Sequence, residues 1–196
     1  MDERVITVNM GQLEVSRQPG DVLTALGLGS CVAVCAYDPA LGLAGMIHVV
    51  LPSSAISRSK EEGPAKFADV GVPHLVDEME KQGAIRRRLR TAMLGGANVL
   101  SYAGEAKALD IGARNAAAVQ EALEAQRISV RASEVGGKVS RTVRLWVADG
   151  IVIMKTLREG QVRVTVLGDE NGSRASKRGL TRAPHRARPT ARAGGG

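Results

Sequence analysis

Aromatic side chains are nearly absent from this chain of 196 residues, which has one Trp, one Phe and two Tyr. Its core must therefore be aliphatic, and its length suits one domain with an appendage. Cysteine is equally scarce, with two residues. Cys31 and Cys35 lie on one predicted strand, roughly 13 Å apart at the usual strand rise, which excludes a disulfide between them. There is no apolar run of membrane-spanning length and no signal-like start (Met1-Asp2-Glu3-Arg4). These absences predict a soluble cytoplasmic protein with no transmembrane segment. Nucleotide fingerprints and internal repeats are missing as well.

The formal charge of +7 is unevenly spread. From Asp169 onward seven basic residues face two acidic ones, a net of +5 that leaves +2 for the rest. That stretch is rich in Gly, Ser, Arg, Pro and Ala, with almost nothing to bury. The reading is a domain over residues 1–167 followed by a disordered basic tail over 168–196. The tail lacks aromatics and an amphipathic pattern, so a solubilising extension is favoured over a nucleic-acid or lipid anchor. No specific nucleic acid partner is expected.

The remaining pattern predicts an α/β sandwich, a mostly antiparallel sheet system with two principal helices. Weakly alternating strands are expected at 4–9 and 12–15, and residues 53–63 read as a mobile polar loop. A helical segment runs from Pro64 to Gly83, kinked or divided at Pro73. Strands follow at 89–94 and 128–135, with a second helix capped by Asn115. A hairpin over 141–157 turns at Asp149-Gly150, and a last strand carries Val162, Val164 and Val166.

The chemistry-bearing stretch is Ala25–Pro52. A glycine-rich approach (Gly27, Gly29) delivers Cys31 to a short apolar strand, and a second apolar strand carries His48. With residues 38–41 as the hairpin loop, Tyr37 faces Gly42 and Cys31 comes directly opposite His48. Opposed side chains share a sheet face, with Cβ atoms roughly 4.5–5.5 Å apart. A slip of one residue would separate them to opposite faces. A His beside a Cys can accept its proton and stabilise the thiolate as an ion pair. Backbone N–H groups near Gly29, Ser30 and Cys31 could face the oxygen of an attacked carbonyl. The competing reading is that Cys31 is a small buried hydrophobe, the role assigned to Cys35. A metal site from Cys31, Cys35 and His48 lacks a fourth ligand at sensible spacing, and no cofactor is called for. Gly95-Gly96 and Gly136-Gly137 read as tight turns, and Arg86-Arg87-Arg88 as a solvated run.

LGLGSCVAVCAYDP, GMIHVVLP, KFADVGVPHLVDEM, LGGANVL, IGARNAAAV and EVGGKVSR, in this order and spacing, resemble the CheD family of chemoreceptor glutamine deamidases. The resemblance spans about Val5 to Leu157. It implies a protein-glutamine deamidase that converts glutamines of chemotaxis receptors to glutamate and ammonia, with a fold similar to the cytotoxic necrotizing factor deamidases. Carried over by residue, Cys31 matches the nucleophile and His48 the general base and acid. The family's third catalytic residue, a Thr six positions before the Cys, is Ala25 here. Its neighbour Thr24 is the candidate substitute, provided that a local bulge re-aims it. Partners implied are the cytoplasmic domains of chemotaxis receptors and a CheC-type phosphatase. The departure at Ala25 motivates a second reading, a non-enzymatic binding module that regulates such a phosphatase or receptor.

Overall fold

The computed structural model describes residues 3–56, 63–99 and 110–168. The basic stretch from Asp169, assigned above to a disordered tail, lies outside the described residues, as do positions 57–62 of the polar loop. Among the described residues ten strands form: β1 (Arg4–Thr7), β2 (Leu13–Ser16), β3 (Asp21–Leu28), β4 (Val32–Asp38), β5 (Leu43–Val49), β6 (Arg90–Gly95), β7 (Val130–Val135), β8 (Arg141–Trp146), β9 (Ile151–Thr156) and β10 (Gly160–Val166). The helices α1 (Ala68–Lys81) and α2 (Ile111–Ala125) lie between β5 and β7 in the chain.

The strands make two five-stranded sheets, ordered β1-β3-β8-β9-β10 and β2-β5-β4-β6-β7. The pairs β1–β3 and β6–β7 are parallel, and the other pairings are antiparallel. The α/β sandwich with mostly antiparallel pairing is therefore what forms. One core lies between the sheets, where Leu23, Ala25, Ala33, Cys35, Met46 and Leu145 meet. A second packs the opposite face of the β4–β5 sheet against the helices, through Val34, Ile47, Leu75, Met79, Val119 and Leu123. Both faces of β4 and β5 are thus covered, and all their residues are buried. This explains their continuous apolar runs, which strands with one wet face do not show. At roughly 1.5–3 kcal/mol per fully buried aliphatic side chain, this central pair contributes to both cores at once.

The β4–β5 turn differs from its predicted form. Asp38 belongs to β4 and pairs with Leu43, so the loop is 39–42 rather than 38–41. Gly42 takes the left-handed backbone (φ 60°) that closes it. The Asp38 carboxylate, fully buried, accepts from the Ala40 N–H at 3.0 Å and from Arg88 Nη2 at 2.7 Å. Burial alone would raise its pKa, but Arg88 and the N–H groups of Ile85 and Ala40 outweigh that, and the carboxyl is held below its ordinary value. Arg88 is accordingly a structural partner of a buried carboxylate, not part of a merely solvated run.

Other local readings shift similarly. Pro73 lies inside one continuous α1, preceded by a 3-10 turn at Pro64–Lys66. Ser53 and Ser54, in the predicted mobile loop, both bond the Asp69 carboxylate near the start of α1. The β8–β9 loop spans four residues, because Leu145 pairs with Val152 and the ladder places Trp146 opposite Ile151.

Candidate active site

Cys31 lies between the end of β3 and the start of β4, and His48 is the penultimate residue of β5. The ladder pairs His48 with Ala33, not with Cys31. The error in the predicted register is a shift of two residues, caused by the later loop, and an even shift preserves the face. Ala33 and Cys35 pack in the core between the sheets, and Cys31, two residues before Ala33, packs partly buried against the same cluster. Cys31 and His48 consequently line one cavity, together with Val8, Asn9, Met10, Leu26 and Gly27.

His48 is buried, and its Nδ1 lies 3.1 Å from the Val8 carbonyl oxygen. A carbonyl only accepts, so Nδ1 carries the hydrogen and Nε2 keeps its lone pair. Nε2 is buried with no hydrogen-bond partner among the described residues. Burial lowers the His48 pKa, with the Val8 carbonyl opposing the effect. Burial also raises the Cys31 thiol, opposed by its own backbone N–H. Both shifts favour uncharged groups, so the free protein holds a thiol and a neutral imidazole instead of the ion pair expected from sequence. The fully buried Cys35 thiol is pushed up to about 12 by burial alone and faces the core between the sheets.

Three successive carbonyls hold the Cys31 loop. Gly29 accepts from Ala97 N at 2.7 Å, Ser30 from Asn115 Nδ2 at 2.9 Å, and Cys31 from Gly96 N at 2.7 Å. The N–H groups of Ser30 and Cys31 enter none of these bonds. The glycine pairs read as turns are braces beneath this loop. Gly136 N bonds Gly95 O at 2.9 Å, and Asn98 N bonds Gly137 O at 2.8 Å. The Arg141 guanidinium, itself buried, donates to the carbonyls of Glu134 and Gly136. Gly29, Ser30 and Cys31 also line a second cavity with Asn98, Val99, Gly112 and Ser140. Cys31 therefore borders two hollows, one on the His48 side and one on the α2 side.

Thr24 is not brought to this place. It is buried on the opposite face of β3, in regular pairing with Arg144 and Thr7, and its hydroxyl lies 3.4 Å from the Val22 carbonyl. The β3 irregularity falls after Ala25, between Ala25 and Leu28, too late to turn Thr24 round. Ala25 faces the core between the sheets. The expectation that Thr24 stands in for a residue at position 25 is corrected by this alternation.

Asn115 was missed in its actual role. The cap of α2 is Asp110, whose side chain accepts from Ala113 N, and Asn115 sits inside the helix, fully buried. Its signal was in the sequence, since it lies four residues before Val119 on the inward stripe.

The family model described as CheD chemotactic sensory transduction matches residues 50–156, beginning just after His48. A curated relative from Symbiobacterium thermophilum, named a probable chemoreceptor glutamine deamidase CheD, is 42% identical over 160 residues, covering 82% of this chain and 97% of its own length. Another of the same name, from Caldanaerobacter subterraneus, is 37% identical over 161 residues, covering 82% and 98%. The solved structure of Bacillus licheniformis hypothetical protein YfiH aligns with a TM-score of 0.36 at 17% identity, over 68% of this chain and 61% of that one. With the family model spanning more than half of its residues and curated relatives matched over nearly their full length, this chain belongs to the CheD family.

Proposed function

We propose that this chain is a chemoreceptor glutamine deamidase in which Cys31 is the nucleophile and His48 the general base and acid. The observation that carries the reading is the shared cavity, in which the half-buried thiol accompanies an imidazole whose tautomer leaves Nε2 free to accept a proton. His48 Nε2 takes the thiol proton as Sγ attacks the side-chain amide carbon of glutamine. The oxygen of the tetrahedral intermediate takes hydrogen bonds from the N–H groups near Gly29, Ser30 and Cys31. Collapse breaks the C–N bond, and the proton on Nε2 passes to the departing ammonia. Water, deprotonated by Nε2, then attacks the thioester, releases glutamate and restores the thiol.

The exposed apolar side chains of Met10 and Leu26 border the cavity and suit the flanks of a protein-bound glutamine better than the free amino acid. The proposal places the chemistry in residues 1–167, in the cytoplasm, with receptor cytoplasmic domains as substrate and a CheC-type phosphatase as a second partner. Among the described residues, no helix is long and apolar enough to cross a membrane.

The test is incubation with a purified receptor cytoplasmic fragment, read by peptide mass spectrometry. Conversion of specific glutamines to glutamate, with one ammonia released per event, is expected. Absence of conversion would favour the non-enzymatic binding module, for which Ala25 in place of a hydroxyl residue is the motivating observation. Because Thr24 is buried on the face of β3 away from the cavity, Thr24→Ala should keep deamidation by the folded protein within about twofold of wild type. A loss of tenfold or more would mean that its hydroxyl does reach the site.

The pH profile follows from the burial of His48. The base works only when unprotonated, so kcat/KM falls as pH drops through the His48 pKa. That pKa is lowered, so the acid limb should lie below about 6.5, the ordinary histidine value, with full activity at neutral pH. An acid limb above that value would contradict the buried neutral imidazole.

A further inference from the structure

A primary amide in the inward stripe of a helix needs a reason, since burying it is costly unless it is bonded. Asn115 is fully buried in α2, alongside Gly112, Val119, Ala122 and Leu123. Its Nδ2 donates to two carbonyls on different chain segments, Ser30 O at 2.9 Å and Val50 O at 2.8 Å. Both partners only accept, so the amide cannot be turned over without setting its oxygen against them. Its Oδ1 is buried without a hydrogen-bond partner. The side chain is therefore placed for the two donor bonds at the expense of its own acceptor.

The position of those carbonyls is informative. The β4–β5 ladder ends at the Val32–Val49 pair. In the same register the next pair would be Cys31 and Val50, where neither residue belongs to a strand. Ser30 directly precedes the thiol residue, and Val50 follows two residues after the imidazole. Where the ladder stops, one side-chain amide ties the two chains together.

We infer that Asn115 is a positioning residue that holds the Cys31 loop against the end of the His48 strand and so sets the thiol–imidazole geometry. This rests on the Cys31–His48 reading above. The amide touches neither reacting group. Its effect is on the rate of the bound complex, because small displacements of a nucleophile from its base cost up to about a hundredfold.

The experiment compares Asn115→Leu, which keeps the volume and removes both donors, with Val119→Ala, a core change one turn further along α2. In Asn115→Leu, kcat on the receptor fragment should fall by about a hundredfold with KM within about threefold. Val119→Ala should keep kcat within about threefold despite its lowered unfolding midpoint. Equal kcat losses in the two variants would overturn the inference. Should Asn115→Leu not fold, wild type decides by NMR. The Asn115 side-chain amide hydrogens should exchange with solvent at least about a hundredfold more slowly than those of a free asparagine, and exchange at the free rate would overturn the strut. That measurement needs no activity, so failure of the strut is distinct from failure of the deamidase reading, which shows as absent wild-type turnover.

Discussion

Cys31→Ala protein should convert receptor glutamines at least about a thousandfold more slowly than wild type, with folding unaffected. The size follows from the proposed chemistry, since without the thiol no thioester forms and His48 has no thiol proton to take. The second thiol cannot substitute. Cys35 is fully buried in the core between the sheets and lines neither cavity, and burial pushes its pKa up to about 12, which keeps it protonated. Cys31 is only partly buried, so loss of its sulfur leaves a small cavity and costs little stability. Peptide mass spectrometry of the receptor fragment reads the first quantity, and thermal unfolding the second. Turnover near the wild-type rate in this variant would remove Cys31 from the mechanism.

Gly95→Ala is expected to damage both stability and site. Gly95 ends β6 with φ of 124°, a conformation that costs a side-chain-bearing residue about 1–3 kcal/mol. An added Cβ would also collide with the Cys31 carbonyl oxygen and come 3.1 Å from Val32 Cα. Both neighbours are backbone, so relief requires moving the loop that carries Cys31. The total should reach about 3 kcal/mol or more, with deamidation by the folded fraction down at least about tenfold. Gly136→Ala is the control. Its φ of 81° is equally unfavourable, but its Cβ would meet nothing within 4 Å. It should lose only about 1–3 kcal/mol and keep most activity. Urea unfolding and single-turnover deamidation separate the two variants, and equal activity losses would refute the collision argument.

The β4–β5 register shows how far local pattern carries. Asp38-Pro39 was legible as a turn, but whether Asp38 closes the strand or opens the loop depends on Arg88, fifty residues on, and on the Ile85 N–H. With Asp38 inside the strand, the loop starts one position later and the pairing shifts by two residues. The thiol and imidazole stayed on one face because alternation has a period of two. The same alternation removed Thr24, and no sequence signal offered the bulge that would have rescued it. The role of the glycine pairs was hidden for a related reason. Gly95-Gly96 and Gly136-Gly137 are turns locally, yet their bonds run to Cys31 and to each other across long stretches of chain.

The chain by itself determined its aliphatic core, its two sheet-forming apolar runs, its two helices and the shared face of Cys31 and His48, because these depend on composition and on periodicities that survive a small shift in register. Only the tertiary structure decided the His48 tautomer, the uncharged state of the pair, the face of Thr24 and the place of Asn115. Each of those turns on a single hydrogen bond or on burial among residues far apart in sequence, and neither is written in any local window.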